Sequence, residues 1–313
     1  MKTMTAVTAT APPSIGNCAA GFDVLGHSLE GPTDRVTCTR AEHRSVTVTS
    51  IQGTTAALPR DPERNTASRA VLELRRLAGF EDLGITLQIQ KGIPLASGMG
   101  GSAASSVAAV VAANELLPTR QPVDVLYKAA CAGEAAASGA PHGDNVAPCL
   151  LGGLVIAPKQ GSPVSLSVPD WLHVALVHPH VELETRASRS VLDQPFELST
   201  ITAQTEALAL MLAGCASGDE DLLRRGVRDV MVEPRRAPLI PGFAEVQEAA
   251  HREGALGASI AGGGPSVFGW FRSRAAAERG GAAMQRAFER SSLTSDVFTS
   301  PVAGPRARIE ACK

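Results

Sequence analysis

Residues Lys91 to Leu117 read KGIPLASGMGGSAASSVAAVVAANELL, and this stretch decides the fold. A strand ends near Lys91, a loop rich in glycine and serine follows, and a long Ala-rich helix starts at about Ser102. Gly98, Gly100 and Gly101 remove Cβ atoms from the loop, so its backbone can take positive φ and lie close against a ligand. The helix entry leaves unpaired N–H groups and a partial positive charge at one point, a combination that favours phosphate. A Walker A loop is excluded, because Ser102 follows Gly101 with no lysine before it. Gly98-Met99-Gly100-Gly101-Ser102-Ala103 does match the G-x-G-x-x-A of a dinucleotide fold. The preceding strand argues against it: Ile85 to Gln90 (ITLQIQ) alternates apolar and polar residues and stands seven residues before the glycines. A Rossmann first strand is buried on both faces and runs straight into the turn.

Working outward, 313 residues are many for one hydrophobic core, so two domains are expected. Apolar content of 44% and charged content of 19% exclude a disordered chain. A net charge of −2 leaves no basic footprint, and 4% aromatic residues supply few stacking platforms, so nucleic acid is not expected as a partner. Cys18, Cys38, Cys131, Cys149, Cys215 and Cys312 show no C-x-x-C spacing, which signals neither zinc nor a disulfide framework. The start, MKTMTAVTATAPPS, lacks the apolar centre of a secretory signal, and no apolar run approaches the roughly 20 residues of a membrane span. A soluble cytoplasmic protein with no membrane partner is the expectation.

Two-residue alternation predicts strands at 5 to 11, 35 to 41, 45 to 51 and 85 to 90, and further strands at 151 to 157 and 172 to 179. Helical patterns cover about 65 to 78, 102 to 117 and 122 to 138, then 198 to 216, 219 to 231, 242 to 253 and 274 to 290. GASIAGGGPSVFGWF reads as strand, Gly-Gly-Gly-Pro turn and strand. Strand-rich sequence ahead of helix-rich sequence gives the α+β class. The turn-rich Pro158 to Pro169 is the expected boundary, dividing the chain into 1–163 and 164–313.

Asn17 and Asp23 lie in APPSIGNCAAGFDVLG, a loop just after a strand, where both are ordinary turn formers. Glu134 ends a helix, while His142, Asp144 and Asn145 fall in a Gly/Pro-rich loop. A carboxylate there could hold magnesium, which takes one or two protein oxygens together with phosphate and water, though glutamates at helix ends are usually solvated. His178 and His180 form H-x-H without a third ligand at a recognisable spacing, too few for zinc. Arg186 and Arg189 are read in a loop, and Arg235 and Arg236 at a helix end. Guanidinium forks suit carboxylate or phosphate, but surface arginines are commoner.

Taken in order, P-x-S-x-x-N…G-F-D-V-L-G, G-I-P-L-A-S-G-M-G-G-S-A-A-S, H-G-D-N-V-A-P-C-L-L-G-G, T-R-A-S-R and G-G-G-P-S-V-F-G run from Pro12 to Gly269, within a likeness that covers about residues 8 to 290. This series resembles the GHMP small-molecule kinases, and within them the homoserine kinase family. The resemblance implies a two-domain fold: an N-terminal domain like domain 2 of ribosomal protein S5, and a ferredoxin-like C-terminal domain. It implies ATP held by Pro94, Leu95, Ala96, Ser97, Gly98, Met99, Gly100, Gly101 and Ser102, with Asn65 near the nucleotide and Mg2+ on Ser102 and Glu134. Asn17, Asp23 and His142 would hold L-homoserine, and Arg189 and Arg236 its carboxylate, with Arg186 and Arg235 as their neighbours. Asn145 would orient the substrate hydroxyl, leaving Asp144 as a base or a support. The product would be O-phospho-L-homoserine, an intermediate of threonine biosynthesis. A mevalonate- or sugar-type kinase, a non-catalytic sensor and a homodimer all remain compatible. Cys18-Ala19 departs from a frequent Leu-Gly, and Gly101 from a frequent serine, which takes one hydroxyl from the phosphate loop.

Overall fold

Residues 5–183 and 185–312 are described by a computed structural model of the chain; at 138, 185 and 186 only the backbone is described, so the side chain of Arg186 lies outside it. The first half contains β1 (Ala6–Ala11), β2 (Ser14–Ile15), β3 (Leu25–Ser28), β4 (Asp34–Ala41), β5 (Val46–Gln52), α1 (Thr66–Ala78), β6 (Gly84–Gln90), α2 (Gly101–Leu116), α3 (Val123–Ser138), α4 (Gly143–Leu151), β7 (Leu154–Ile156) and β8 (Val164–Leu166). Then follow β9 (His173–Pro179), α5 (Thr185–Ser190), α6 (Leu198–Ser217), α7 (Glu220–Gly226), α8 (Glu233–Arg236), α9 (Phe243–Arg252), β10 (Gly257–Ile260), β11 (Val267–Phe271), α10 (Arg274–Arg290), β12 (Ser295–Pro301) and β13 (Arg308–Cys312).

The first sheet has the order β13-β1-β4-β6-β5, antiparallel except for the β5/β6 pair. Alternation in β4 and β6 sends Val36, Cys38, Ile85, Leu87 and Ile89 inward. Against this face lies α2, apolar on every side, whose alanines let the sheet, α1 and α3 approach together. A second sheet, β2-β3-β7-β8, supports the loops that carry the site.

The third sheet has the order β10-β11-β9-β12. With α9 and α10 it makes the ferredoxin-like topology, in which the second strand of the unit lies at one edge and the fourth at the other. Its central strands are buried on both faces. Val174, Leu176, Phe268 and Trp270 join the core of the first half, whereas Ala175, Val177, Val267 and Phe271 pack under α9 and α10. This double burial explains why Leu172 to Pro179 reads as a continuous apolar run. The chain opens β8 at Val164 and pairs it with β7, and β13 returns to pair with β1.

Four local expectations need correction. Residues 143 to 151 form α4 rather than a loop. Gly143 and Pro148 hid it, since both disfavour helix interiors. Pro148 cannot bond the Asp144 carbonyl, and Gly26 of β3 packs on that oxygen, where a Cβ would stand 1.9 Å away. The strand expected from Leu151 starts only at Leu154, because Gly152 and Gly153 take φ of 79° and 63°. The helix expected over 219 to 231 stops at Gly226, which lies against the backbone of Met211 in α6, where a Cβ would come within 2.3 Å of its nitrogen. Arg186 and Arg189 sit on the short helix α5, not in a loop.

Candidate active site

The glycine-rich loop is clamped from three sides. Gly100, at φ 65°, precedes α2 with no side-chain cap among the described residues, so the first amides of α2 are left for a ligand. A Cβ at Gly100 would stand 2.1 Å from Ser14 Oγ and 2.9 Å from Asn145 Oδ1, so glycine is required there on both counts. Ser14 N donates to Met99 O (3.1 Å), and Ser14 Oγ donates to Asn145 Oδ1 (2.9 Å). From the C-terminal half, the turn at Gly262 to Pro265 closes over Gly98, where a Cβ would meet the carbonyls of Ala261 and Gly264 at 2.5 and 2.7 Å. Ser266 Oγ donates to Ser97 O (2.6 Å). The second glycine-rich segment therefore both forms a hairpin turn and reaches the site, since Gly262 and Gly263 line the cleft.

Beneath the loop lies a buried ion pair that the sequence reading passed over. Lys91 Nζ bonds the Asp34 carboxylate, Gly101 O (2.8 Å) and Ser105 Oγ (2.9 Å). Ser105 Oγ donates to Asp34 Oδ2 (2.6 Å), and Asp34 Oδ1 accepts from Gly92 N and Ile93 N (3.0 and 3.1 Å). Asp34 and Lys91 are 0% and 6% exposed, so charges withdrawn from water are matched by a full set of partners. The network ties the end of β6, the start of β4 and the first turn of α2 into one support.

A cleft of about 160 Å³ opens above this floor. Asn17, every residue from Pro94 to Ser102, Glu134, His142, Asn145, Arg189 and Arg236 line it. A polar chain runs from Asp23, which lines an adjoining pocket, through Arg189 and His142 to Glu134 on the cleft wall. The Asp23 carboxylate takes both Arg189 Nη atoms at 2.9 Å, Arg189 Nη2 donates to His142 Nε2 (3.0 Å), and His142 Nδ1 reaches Glu134 Oε1 (3.3 Å). A neutral imidazole protonated on Nδ1 satisfies both of its contacts. The bond to Glu134 nevertheless raises the His142 pKa, against burial and the Arg189 charge.

Arg236 is buried and fixed by Ser188 O and Gly262 O, both at 3.0 Å. Burial, and then the Arg189 charge, lower its pKa to about 10, so it stays cationic at neutral pH. Arg235 turns away, stacks on Phe196 and donates to Pro195 O (2.8 Å).

Asn17 joins the halves. At φ 57° its Nδ2 donates to Gly262 O (2.8 Å), its Oδ1 accepts from Asp23 N (2.9 Å), and its backbone N donates to Asp144 Oδ2 (2.8 Å). Asp144 is 1% exposed and lies behind Asn17, off the cleft wall. Burial, with the Asp23 charge second, raises its pKa to about 6. Gly16 is needed beside it, because a Cβ there would stand 2.4 Å from Asn145 Nδ2 and 2.6 Å from Asp144 Oδ2.

Asn65 stands apart from the cleft. Its Oδ1 caps α1 through Ala67 N and Ser68 N, and its Nδ2 donates to Pro59 O. It lines an adjoining pocket with Leu58, Pro59, Ile89, Ala136 and Ala137, which shares Leu95 and Ser102 with the cleft. Of the H-x-H pair, His178 meets Ser266 Oγ (3.1 Å) and His180 meets Asp296 (3.0 Å). Their partners thus support the turn and the sheet edge. Ser14, Gly16, Asp34 and Lys91 were missed as site residues. Only Lys91, which opens the quoted stretch, carried a signal: a lysine between a strand and a glycine-rich loop.

A family model described as GHMP kinases N terminal domain matches residues 65–153, and one described as GHMP kinases C terminal matches 211–290. The chain is 51% identical over 301 residues to a homoserine kinase of Xanthomonas campestris pv. campestris (strain B100), covering 96% of this chain and 93% of that one. It is 48% identical, with the same coverage, to a homoserine kinase of Xylella fastidiosa (strain 9a5c). The crystal structure of homoserine kinase from Cytophaga hutchinsonii superposes with a TM-score of 0.94 at 38% identity, covering 99% of each chain. Mevalonate kinase of L. major, at 15% identity and a TM-score of 0.69, shares the fold. With both family regions matched and half of all aligned residues shared with a relative of nearly equal length, this chain belongs to the GHMP kinase family.

Proposed function

We propose that the protein transfers the γ-phosphoryl group of ATP to the side-chain hydroxyl of L-homoserine, giving O-phospho-L-homoserine and ADP. One observation carries the reading: the glycine-rich loop, Glu134, Asn145 and the two arginines line a single cleft, in a chain 51% identical to a homoserine kinase. The loop amides and the α2 N-terminus cradle the phosphates, and the apolar pocket beside Asn65 takes the base. Ser102 and Glu134 offer a hydroxyl and a buried carboxylate on that cleft, a hard-oxygen pair that fits Mg2+. When bound, the ion supplies charge neutralisation on the phosphate oxygens.

Substrate recognition follows from charge. Arg189 and Arg236 clamp the α-carboxylate and Asp23 takes the α-ammonium, the two substrate charges replacing the Asp23–Arg189 ion pair made without substrate. Mevalonate has the carboxylate but no ammonium, so Asp23 favours the amino acid. Asn145 Oδ1 is committed to Ser14, leaving Nδ2 to donate to the substrate hydroxyl oxygen and aim a lone pair at phosphorus. The new O–P bond forms as the bond from the γ-phosphorus to the ADP oxygen breaks. The hydroxyl proton leaves to a phosphoryl oxygen or to solvent, because an amide cannot accept it. Asp144 acts from behind, holding the Asn17 amide. The six cysteines, free in this structure, agree with a reducing cytoplasm, and no described helix is long and apolar enough to cross a membrane.

The test measures ADP release with L-homoserine, mevalonate and galactose, followed by the mass of the product. Homoserine-dependent ADP with a phosphohomoserine mass supports the reading; preference for mevalonate or galactose, or no phosphorylated product at all, sinks it.

A further inference from the structure

Phe22 precedes Asp23 in the Gly21 to Leu25 turn, and neither the sequence reading nor the phosphoryl-transfer chemistry gives it a task. The turn fixes it: Val24 N and Leu25 N donate to Gly21 O, and Asp23, at φ 57°, is held through its N–H by Asn17 Oδ1. Its half-buried ring lies under both substrate-facing arginines. The guanidinium carbons of Arg189 and Arg236 are each 5.4 Å from its centroid. Two cations that share one wall of a small cleft repel, and Asp23 is bonded to only one of them. The other, Arg236, hydrogen-bonds to carbonyls alone among the described residues, Ser188 O and Gly262 O. An aromatic face attracts both charges at once.

We propose that Phe22 is a positioning and specificity residue: its ring holds Arg189 and Arg236 together as a two-pronged receptor for a carboxylate, setting the preference for carboxylate-bearing alcohols. This rests on the homoserine reading above. The ring is not part of the cleft lining and reaches it through the two arginines, so its effect falls on the affinity for the acceptor.

The test compares wild type, Phe22→Leu and Phe22→Tyr with L-homoserine and with 3-aminopropan-1-ol, the same chain without the carboxylate. Phe22→Leu keeps an apolar side chain and loses the ring, and should raise KM for homoserine roughly tenfold. The KM for ATP and kcat should hold, and the preference for homoserine over the aminoalcohol should fall by the same factor. Phe22→Tyr should restore both. An unchanged preference in Phe22→Leu, or equal rises in KM for ATP and homoserine, would overturn the proposal. A wild type inactive on homoserine would overturn the substrate reading instead. The ring's role is then read without substrate, from ring-current shifts of the Arg189 and Arg236 Nε–H signals in wild type that vanish in Phe22→Leu; no such shifts in wild type would refute it.

Discussion

Substituting Asp34→Asn removes one charge from the floor of the site and changes little else in shape. The amide oxygen can still accept from Gly92 N and Ile93 N, but the Lys91 ammonium is left buried among Gly101 O, Ser105 Oγ and a new N–H donor. Stranding one partner of a buried ion pair costs about 3–5 kcal/mol. Taking an unfolding entropy of about 2.1 cal/mol/K per residue over 313 residues, that loss lowers Tm by about 5–8 °C. The shared core of the two halves makes a single transition the expectation. Urea denaturation of wild type, Asp34→Asn, Lys91→Met and the double variant measures it. The double variant carries no stranded charge and should be more stable than Asp34→Asn by at least about 2 kcal/mol, since losing both partners together is far cheaper than losing one. Loss of the Lys91 ammonium as donor to Gly101 O in the double variant should still raise KM for ATP. A single variant within about 1 kcal/mol of wild type, or strictly additive losses, would refute the account of the network.

Three further outcomes are expected. Asn145→Ala should lower kcat by roughly 10²–10³-fold while nucleotide binding, read by calorimetry, persists; unchanged turnover excludes the orienting role. Arg236→Ala should raise KM for homoserine by about 10–100-fold with KM for ATP nearly constant, whereas Arg235→Ala should leave both constants alone because Arg235 ties only the 194 to 196 loop; equal effects of the two would sink the distinction. His27, bonded through Nε2 by Trp270 Nε1 (3.2 Å) and through Nδ1 to Ser28 O (2.9 Å), has its pKa lowered from 6.5 to about 4, chiefly by burial. Its folded value lies below its unfolded one, so its stabilisation is complete above about pH 6.5 and is lost as pH falls through about 4, up to about 3 kcal/mol. The urea midpoint should drop over that window and drop less in His27→Gln; parallel pH curves would remove His27 as a cause.

Much of the site was legible wherever local chemistry dictated it. Two-residue and 3.6-residue periods marked β1, β4, β6 and α1, an Ala-rich run marked α2, and the glycines between β6 and α2 announced positive φ and open amides. Misreadings cluster where tertiary contacts override local preference. The helix α4 holds a proline because Gly26 of β3 occupies the space beside the carbonyl that Pro148 leaves free. Asp144, expected near the chemistry, stands behind Asn17 because its partner is a backbone amide 127 residues away in sequence.

By itself, the chain's sequence determined that a glycine-rich loop with open amides meets the start of a long helix, that carboxylates and arginines recur beyond it, and that the class is α+β. Those properties follow from residue type and spacing, which act through bonds and dihedral angles over a few residues. Only the tertiary structure brought Arg189 and Arg236 to one cleft, placed Asp34 and Lys91 under the loop, and closed the loop with the Gly262 to Pro265 turn. These depend on partners up to 245 residues apart, such as Asn17 and Gly262, which are brought together by burial of a shared core rather than by any local preference.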